Sequence, residues 1–484
     1  MTTARPASSP AAAPAAAGGR RPFPLVDEIS RHVRDEREPE TVHIEVHLPG
    51  TLDPERLRAA FHEALRRHPG VLVREAPGPW YRLRYEWEPA GGPDADPLEF
   101  PASRDLAEAR ARAVAEIPPL SAAPPVRMAV VRPGGAEPGT SEPGAVLFLT
   151  VNHTALDGPA CLRILQTAAD LYRGGDAAPQ DVASSAPAAP AVREFAPEPR
   201  PRQAGQAGNA GPTGNTGNAA ARPRPPAVPA WRRPARVARG TPDPAPGRPR
   251  GNGIRIAEVP VPGRPPGAPW TVNDQLLVAA ARAIAEWNAA RGARPRPLRV
   301  TMPIDDRDPG PAMPIGNGTR LVEVPFRPEE LTAWDTPRLL RATAARTRAL
   351  KALGRPQLGP GTALLTAPYA PVAWRAALTR GLRRAAAPWI STVLVSNLGR
   401  IPHPLDFGPA GRPGAIWFSA PARMPRGLAL TASSVRGRLH LVLRWSTALL
   451  GARDGAELLD AVVAHLAALD AAALNAAALG RGKP

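Results

Sequence analysis

Between about Gly174 and Gly251 the residues that build folded cores almost disappear. Pro, Ala, Gly, Asn and Arg replace them, as in AGQAGNAGPTGNTGNAAARPRPP. Too few apolar side chains remain there to offset the entropy of ordering a backbone. A stretch of roughly 70 residues of this kind reads as a linker or a long insertion, and it divides the rest of the chain into two halves of comparable size. The length of 484 residues agrees, since it exceeds what one hydrophobic core usually holds. The expected layout is a disordered tail over 1–20, a first lobe over 21–175, a disordered linker over 176–251 and a second lobe over 252–484.

The net charge of +18 invites a nucleic-acid reading, but only two of the 61 basic residues are lysines. Between Arg200 and Arg250 ten arginines face one acid, Asp243, so half of the excess falls within the linker. What is left for the folded lobes is mild and predicts no nucleic-acid partner. The single Cys161 excludes an intrachain disulfide and a thiolate metal cluster. No run of about 18 uncharged apolar residues predicts a membrane span, and the Ala/Pro-rich start lacks the apolar segment of a secretory signal. A cytoplasmic protein is the expectation.

Within the first half, Thr41–Leu48 alternates apolar and polar residues as a half-buried strand requires. Asp53-Pro54 opens a helix with Leu57, Ala60, Phe61 and Leu65 on one side. Shorter strands are expected at Val71–Arg74, Tyr81–Trp87 and Val126–Val131. Ala145–Val151 is apolar on both faces, the mark of a central strand. In the second half Thr271 and Asp274 form a possible capping box before a helix. Strands are expected at Ile254–Val261, Leu298–Pro303, Ser391–Val395, Ala415–Ser419, Gly427–Val435 and Leu439–Trp445, and helices over Pro328–Leu353 and Ala456–Leu469. Strands and helices mix without a strict alternation.

The central strand runs into Asn152-His153-Thr154-Ala155-Leu156-Asp157-Gly158, and a helix follows at once. A His at a strand end sits at a rim where functional groups collect, and its imidazole can take a proton near neutral pH. Asp157 must turn back through the loop, where a buried carboxylate needs a cationic partner. Gly158 permits a close backbone approach. By composition alone the spacing HxxxDG is expected on the order of 0.03 times in such a chain.

This string resembles the HHxxxDG motif of the condensation-domain and CoA-dependent acyltransferase superfamily, which includes nonribosomal peptide condensation domains, polyketide-associated acyltransferases, wax ester synthases and chloramphenicol acetyltransferase. GTLDPERLRAAFHEALRRHPGVLVRE is similar to the family's opening strand, helix and HPxLR stretch. APWTVNDQLLVAAARAIAEW, MPIDDRD with the following IGN, and TVLVSNLGRIP resemble segments of its second lobe in order and spacing. The resemblance implies an α/β fold of two chloramphenicol-acetyltransferase-like lobes with mixed sheets, set in a V around a substrate channel. It implies His153 as the catalytic base, Asp157 salt-bridged to Arg307, Gly158 beside the oxyanion, and Ser396 and Asn397 on the loop facing the cleft. Asn152 stands where the family usually has its first His, and it can hydrogen-bond but not titrate.

The expected reaction moves an acyl group from a thioester of coenzyme A or a phosphopantetheine carrier protein to a small-molecule hydroxyl or amine, in secondary metabolite or lipid biosynthesis. It needs no metal or redox cofactor, and two internal lobes make a monomer sufficient. Two alternatives stand beside it. One is a noncatalytic module that docks a carrier protein, suggested by Asn152. The other is a wax ester or diacylglycerol acyltransferase type of ester synthase, for which no amphipathic membrane helix is evident. Asp406-Phe407-Gly408 reads as a turn, His43 and His47 lack a third metal ligand, and Cys161 reads as a buried small apolar group.

Overall fold

The structure is a computed structural model that describes residues 19–35, 37–133, 144–174, 232–241, 251–307, 313–353, 358, 361–401 and 405–481. Residues 1–18 of the expected tail and most of the expected linker lie outside the described residues. In chain order the first half holds β1 (Arg21–Pro22), α1 (Leu25–His32), β2 (Thr41–Leu48), α2 (Pro54–Arg67), β3 (Val73–Glu75), β4 (Glu86–Pro89), β5 (Leu98–Glu99), α3 (Leu106–Ala115), β6 (Val126–Val131), β7 (Ala145–Asn152) and α4 (Gly158–Arg173). The second half holds β8 (Asn252–Pro260), α5 (Val272–Ala290), β9 (Leu298–Asp305), β10 (Thr319–Phe326), α6 (Pro328–Ala333), α7 (Thr336–Ala352), α8 (Thr362–Thr366), α9 (Val372–Ala385), β11 (Val393–Arg400), β12 (Ala415–Ser419), β13 (Leu428–Val435), β14 (Arg438–Ser446) and α10 (Ala452–Arg481).

Two mixed sheets carry the fold. The first runs β12-β2-β7-β6-β5 and the second β10-β9-β11-β13-β14-β8, while β1-β4-β3 form a small third sheet. β11 lies parallel to both β9 and β13, and β5 parallel to β6, while the other pairs are antiparallel. Asp53 caps α2 through the Arg56 amide, and Thr271 and Asp274 form the reciprocal capping box that opens α5. The helix expected over Pro328–Leu353 is two helices. Asp335 caps the second through the Arg338 amide and Pro337 sits in its first turn, so a new helix begins there. The strand expected at Tyr81–Trp87 forms only from Glu86.

Three findings revise the expected division into lobes. β12 leaves the second half and pairs antiparallel with β2, from Ala415 opposite His47 to Ser419 opposite His43. Arg444 of β14 is fully buried and donates to the carbonyls of Thr41 (2.7 Å), Pro39 (3.0 Å) and Val114 (3.3 Å). Burial lowers its pKa to about 9; these three carbonyls of the first half take its Nη donors, while its Nε donates to Asn252 of β8. Finally, residues 232–241, inside the expected linker, pack on the second core: Ala235 and Val237 are buried there. The Asn288 side chain accepts from the Ala238 amide (2.7 Å) and donates to the Arg236 carbonyl (2.8 Å). Two small apolar side chains and a few backbone bonds suffice, too weak a pattern to register in the sequence. Among the described residues no helix is long and apolar enough to cross a membrane.

Candidate active site

β7 is buried along all eight residues because α2 and α4 cover one face of its sheet and α3 the other. The strand ends where Asn152 turns the chain. Its Oδ1 accepts from the Thr154 amide (3.1 Å) and its carbonyl from Ala155 (2.9 Å). Its Nδ2 donates to the Pro118 carbonyl (2.9 Å). Asn152 is fully buried and does not line the cavity beyond it. The position that departs from the family motif is thus a turn support.

His153 is half-buried and lines a cavity of about 290 Å³. Its Nδ1 donates to the Leu156 carbonyl (2.9 Å), which fixes the tautomer and leaves the Nε2 lone pair as the ring's acceptor. Burial pulls its pKa below the ordinary imidazole value, against the opposing pull of the Leu156 carbonyl and the Asp157 charge. The ring is therefore neutral at pH 7.

Asp157 caps α4 by accepting from the Ala160 amide (3.1 Å). Arg307 Nη2 donates to both carboxylate oxygens (2.9 and 2.8 Å), and the Gly318 amide adds a fourth bond (2.9 Å). The structure thus brings Asp157 and Arg307 together, as expected. Arg307 also reaches Asp305 (2.9 Å from Nε) and the carbonyls of Pro314 (3.1 Å) and Gly316 (3.0 Å). Burial opposes its charge, yet Asp305 and Asp157 together hold its pKa above the ordinary value. The fit leaves no room at Gly318, where a Cβ would lie 2.2 Å from Arg307 Nε.

Gly158 opens α4 against β12. A Cβ there would stand 3.0 Å from Phe418 Cε2, tighter than side chains tolerate without adjustment. The first amides of a helix have no acceptor within it. Gly158 and Pro159 both line the cavity; Pro159 has no amide hydrogen and the Ala160 amide is taken by Asp157. Ser396 and Asn397 line the same cavity from β11, and Asn397 Oδ1 accepts from the Gly399 amide (2.8 Å). Leu162, Pro303, Leu321, Leu398 and Phe418 give it a largely apolar wall drawn from both halves of the chain.

Sequence reasoning missed Asn317. Its Nδ2 lies 3.1 Å from the His153 carbonyl, 2.9 Å from that of Thr154 and 3.0 Å from Asp27 Oδ1. It belongs to the IGN string, where Asn reads as an ordinary turn residue. Asp27, also bonded by Trp87 Nε1 (3.0 Å), has its pKa raised to about 7 by burial. Cys161 is buried and its thiol pKa pushed up by burial, so it is inert. His43 donates to or accepts from Ser419 (2.7 Å) and His47 turns to Glu45 (2.5 Å). Among the described residues no cluster of His, Cys, Asp or Glu is arranged to hold a metal ion.

No family model matches the chain. An uncharacterised protein of Mycobacterium tuberculosis strain H37Rv is 27% identical over 399 residues, spanning 79% of this chain and 84% of that protein. Among solved structures, the first condensation domain of the calcium-dependent antibiotic synthetase, in complex with a substrate analogue, matches with a TM-score of 0.57 at 16% identity, covering 94% of this chain and 97% of its own. The trichothecene 15-O-acetyltransferase of Fusarium sporotrichioides matches with a TM-score of 0.58 at 12% identity, covering 93% and 95%. The starter condensation domain of rhizomide synthetase, in complex with C8-CoA and Leu-SNAC, matches at 0.55 and 14% identity, covering 92% of each chain. The chain has the fold of condensation domains and related acyltransferases.

Proposed function

We propose that the protein is an acyltransferase that moves an acyl group from a thioester, of coenzyme A or a carrier-protein phosphopantetheine, to a hydroxyl or amine. The observation that carries this reading is His153: a neutral imidazole, locked in one tautomer, on an apolar cavity between the two halves. Such a ring can accept the acceptor's proton through Nε2 as its oxygen or nitrogen attacks the thioester carbonyl. The carbonyl oxygen takes on negative charge in that step. The Gly158 N–H and the start of α4 supply a donor and a favourable field for it. Collapse of the tetrahedral adduct breaks the C–S bond, and the thiolate leaves with the proton that His153 collected. An ester or amide and a free thiol result.

Asp157 and Arg307 act here as positioning residues. Their ion pair, with the Gly318 amide, pins the loop 153–158 to Arg307 and Gly318, so residues of the first half meet those of the second at a fixed spacing. Because the Asn152 amide is occupied by backbone partners, its presence in the motif gives no support to a noncatalytic docking module.

The test is to incubate the purified protein with a panel of acyl-CoAs and acylated carriers and follow products by mass spectrometry. His153→Ala should lower turnover by roughly 10²–10⁴-fold, the usual worth of a general base. A variant that acylates as fast as the native protein would remove His153 from the mechanism.

A further inference from the structure

α9 has two unlike faces. At 100° per residue, Val372, Arg375, Ala376 and Thr379 share the side that packs against α1, and all four are buried. An adjoining side, turned by roughly 110° from the buried one, presents Trp374, Leu378 and Leu382, which are 64%, 55% and 49% exposed. Single exposed apolar residues are ordinary, but a spaced row of them is not. The row continues beyond the helix. Leu364 of α8 is 73% exposed, Tyr369 is 88% exposed, and Trp80 and Tyr81 of the β3–β4 connection are 66% and 60% exposed. These pieces are fastened to one another. Arg375 donates to the carbonyls of Ala370 (3.0 Å) and Leu365 (3.5 Å) and to that of Leu83, and the Val372 amide donates to the Arg82 carbonyl (2.8 Å).

The charge around this row has one sign. α9 itself holds four arginines, Arg375, Arg380, Arg383 and Arg384, and no Asp or Glu. Arg84, Arg380 and Arg384 are exposed beside the row. The nearby carboxylates are already engaged, Glu28 with Arg375 and Glu75 with Arg31 and Arg82.

We propose that the outer face of α9, with α8, Tyr369 and the Trp80–Tyr81 connection, docks the protein onto an anionic lipid surface. Tryptophan and tyrosine favour the headgroup level, where an apolar ring meets a polar layer. The leucines reach the acyl boundary while arginines meet lipid phosphates, the arrangement of an interfacial amphipathic helix. Protruding side chains favour lipid over protein here. A headgroup layer accepts them wherever they fall, whereas a protein partner must offer a groove shaped to each one. This face lies outside the cavity, and its use does not depend on the chemistry proposed there.

Flotation of the full chain with vesicles tests the proposal directly. Vesicles of phosphatidylcholine with phosphatidylglycerol should carry the protein, phosphatidylcholine alone should not, and added salt should release it. The double variant Trp374→Ser with Leu378→Ser should bind at least roughly tenfold more weakly, from the apolar area withdrawn. Arg384→Glu should weaken binding to the charged vesicles while the melting temperature stays unchanged. Failure of the native chain to float, equal binding to neutral vesicles, or undiminished binding by the double variant would overturn the proposal. Self-association of the native chain that the double variant abolishes, with no vesicle binding, would overturn it in favour of an interface between copies.

Discussion

Arg307→Ala removes the cation that holds Asp157, whose side chain is 3% exposed. Six hydrogen bonds of known geometry go with it, counting both Asp157 oxygens, both Asp305 oxygens and the carbonyls of Pro314 and Gly316. The Asp305 carboxylate and the loop carbonyls are accessible enough to be rewetted, so most of the cost falls on Asp157. Breaking a buried pair by deleting one partner costs about 3–5 kcal/mol. Asp157 keeps the amides of Gly318 and Ala160, which places the expected loss at the low end, about 3 kcal/mol. For a chain of this size, with an unfolding entropy of about 2 cal/mol/K per residue, that corresponds to a fall in Tm of roughly 3–4 °C. Thermal denaturation at fixed pH reads it directly. Arg307→Lys keeps the charge but not the fork that meets Asp157, Asp305 and two carbonyls at once, so it should fall between native and Ala. Combining Arg307→Ala with Asp157→Asn should cost less than the sum of the two, with a coupling of about 1 kcal/mol or more. An unchanged Tm in Arg307→Ala, or strict additivity in the pair, would show that the ion pair does not hold the halves together.

Two further outcomes follow from the buried titratable groups. If His153 is the base, kcat/KM should be level from about pH 7 upward and fall only as pH drops below the ordinary imidazole value of about 6.5, because burial lowers the folded pKa and only the neutral ring accepts a proton. An acid limb centred above pH 7 would contradict that environment. Asp27, raised to about 7 from 3.8, behaves in the opposite sense: between those values the folded chain binds a proton that the unfolded chain has lost, so this group's contribution favours the fold on the acid side and is lost as pH rises through about 7. Asp27→Asn should therefore gain in Tm relative to native on going from about pH 5 to about pH 8, and a difference that does not vary with pH would show that the carboxylate is not held neutral.

What the sequence revealed was what local pattern encodes. The both-faced apolar run predicted β7, Asp53-Pro54 predicted the start of α2, and Thr271 with Asp274 predicted the start of α5. The Asp157–Arg307 pairing was legible only through resemblance, since no periodicity links residues 150 positions apart. Ala415–Ser419 read correctly as a strand, but a strand's pattern does not say which sheet takes it, and β12 joins the first. The IGN string is visible in the sequence, but nothing in it separates a turn Asn from one whose side chain bonds the carbonyls of His153 and Thr154. The spacing of Trp374, Leu378 and Leu382 is that of a core-facing stripe, yet it faces outward, a distinction only the packing of α1 on the adjoining side reveals.

The pairing of β12 with β2 also bears on how the molecule is made. Ser419 contacts His43 across 376 positions of chain, a closure that slows folding and cannot be completed until residue 419 has been synthesised. Until then β2, whose backbone is buried in the finished protein, offers unsatisfied amides and carbonyls along one side to any passing extended segment. The hazard ends only when residue 419 arrives, and truncation just upstream of β12 should yield an insoluble product rather than a smaller soluble one.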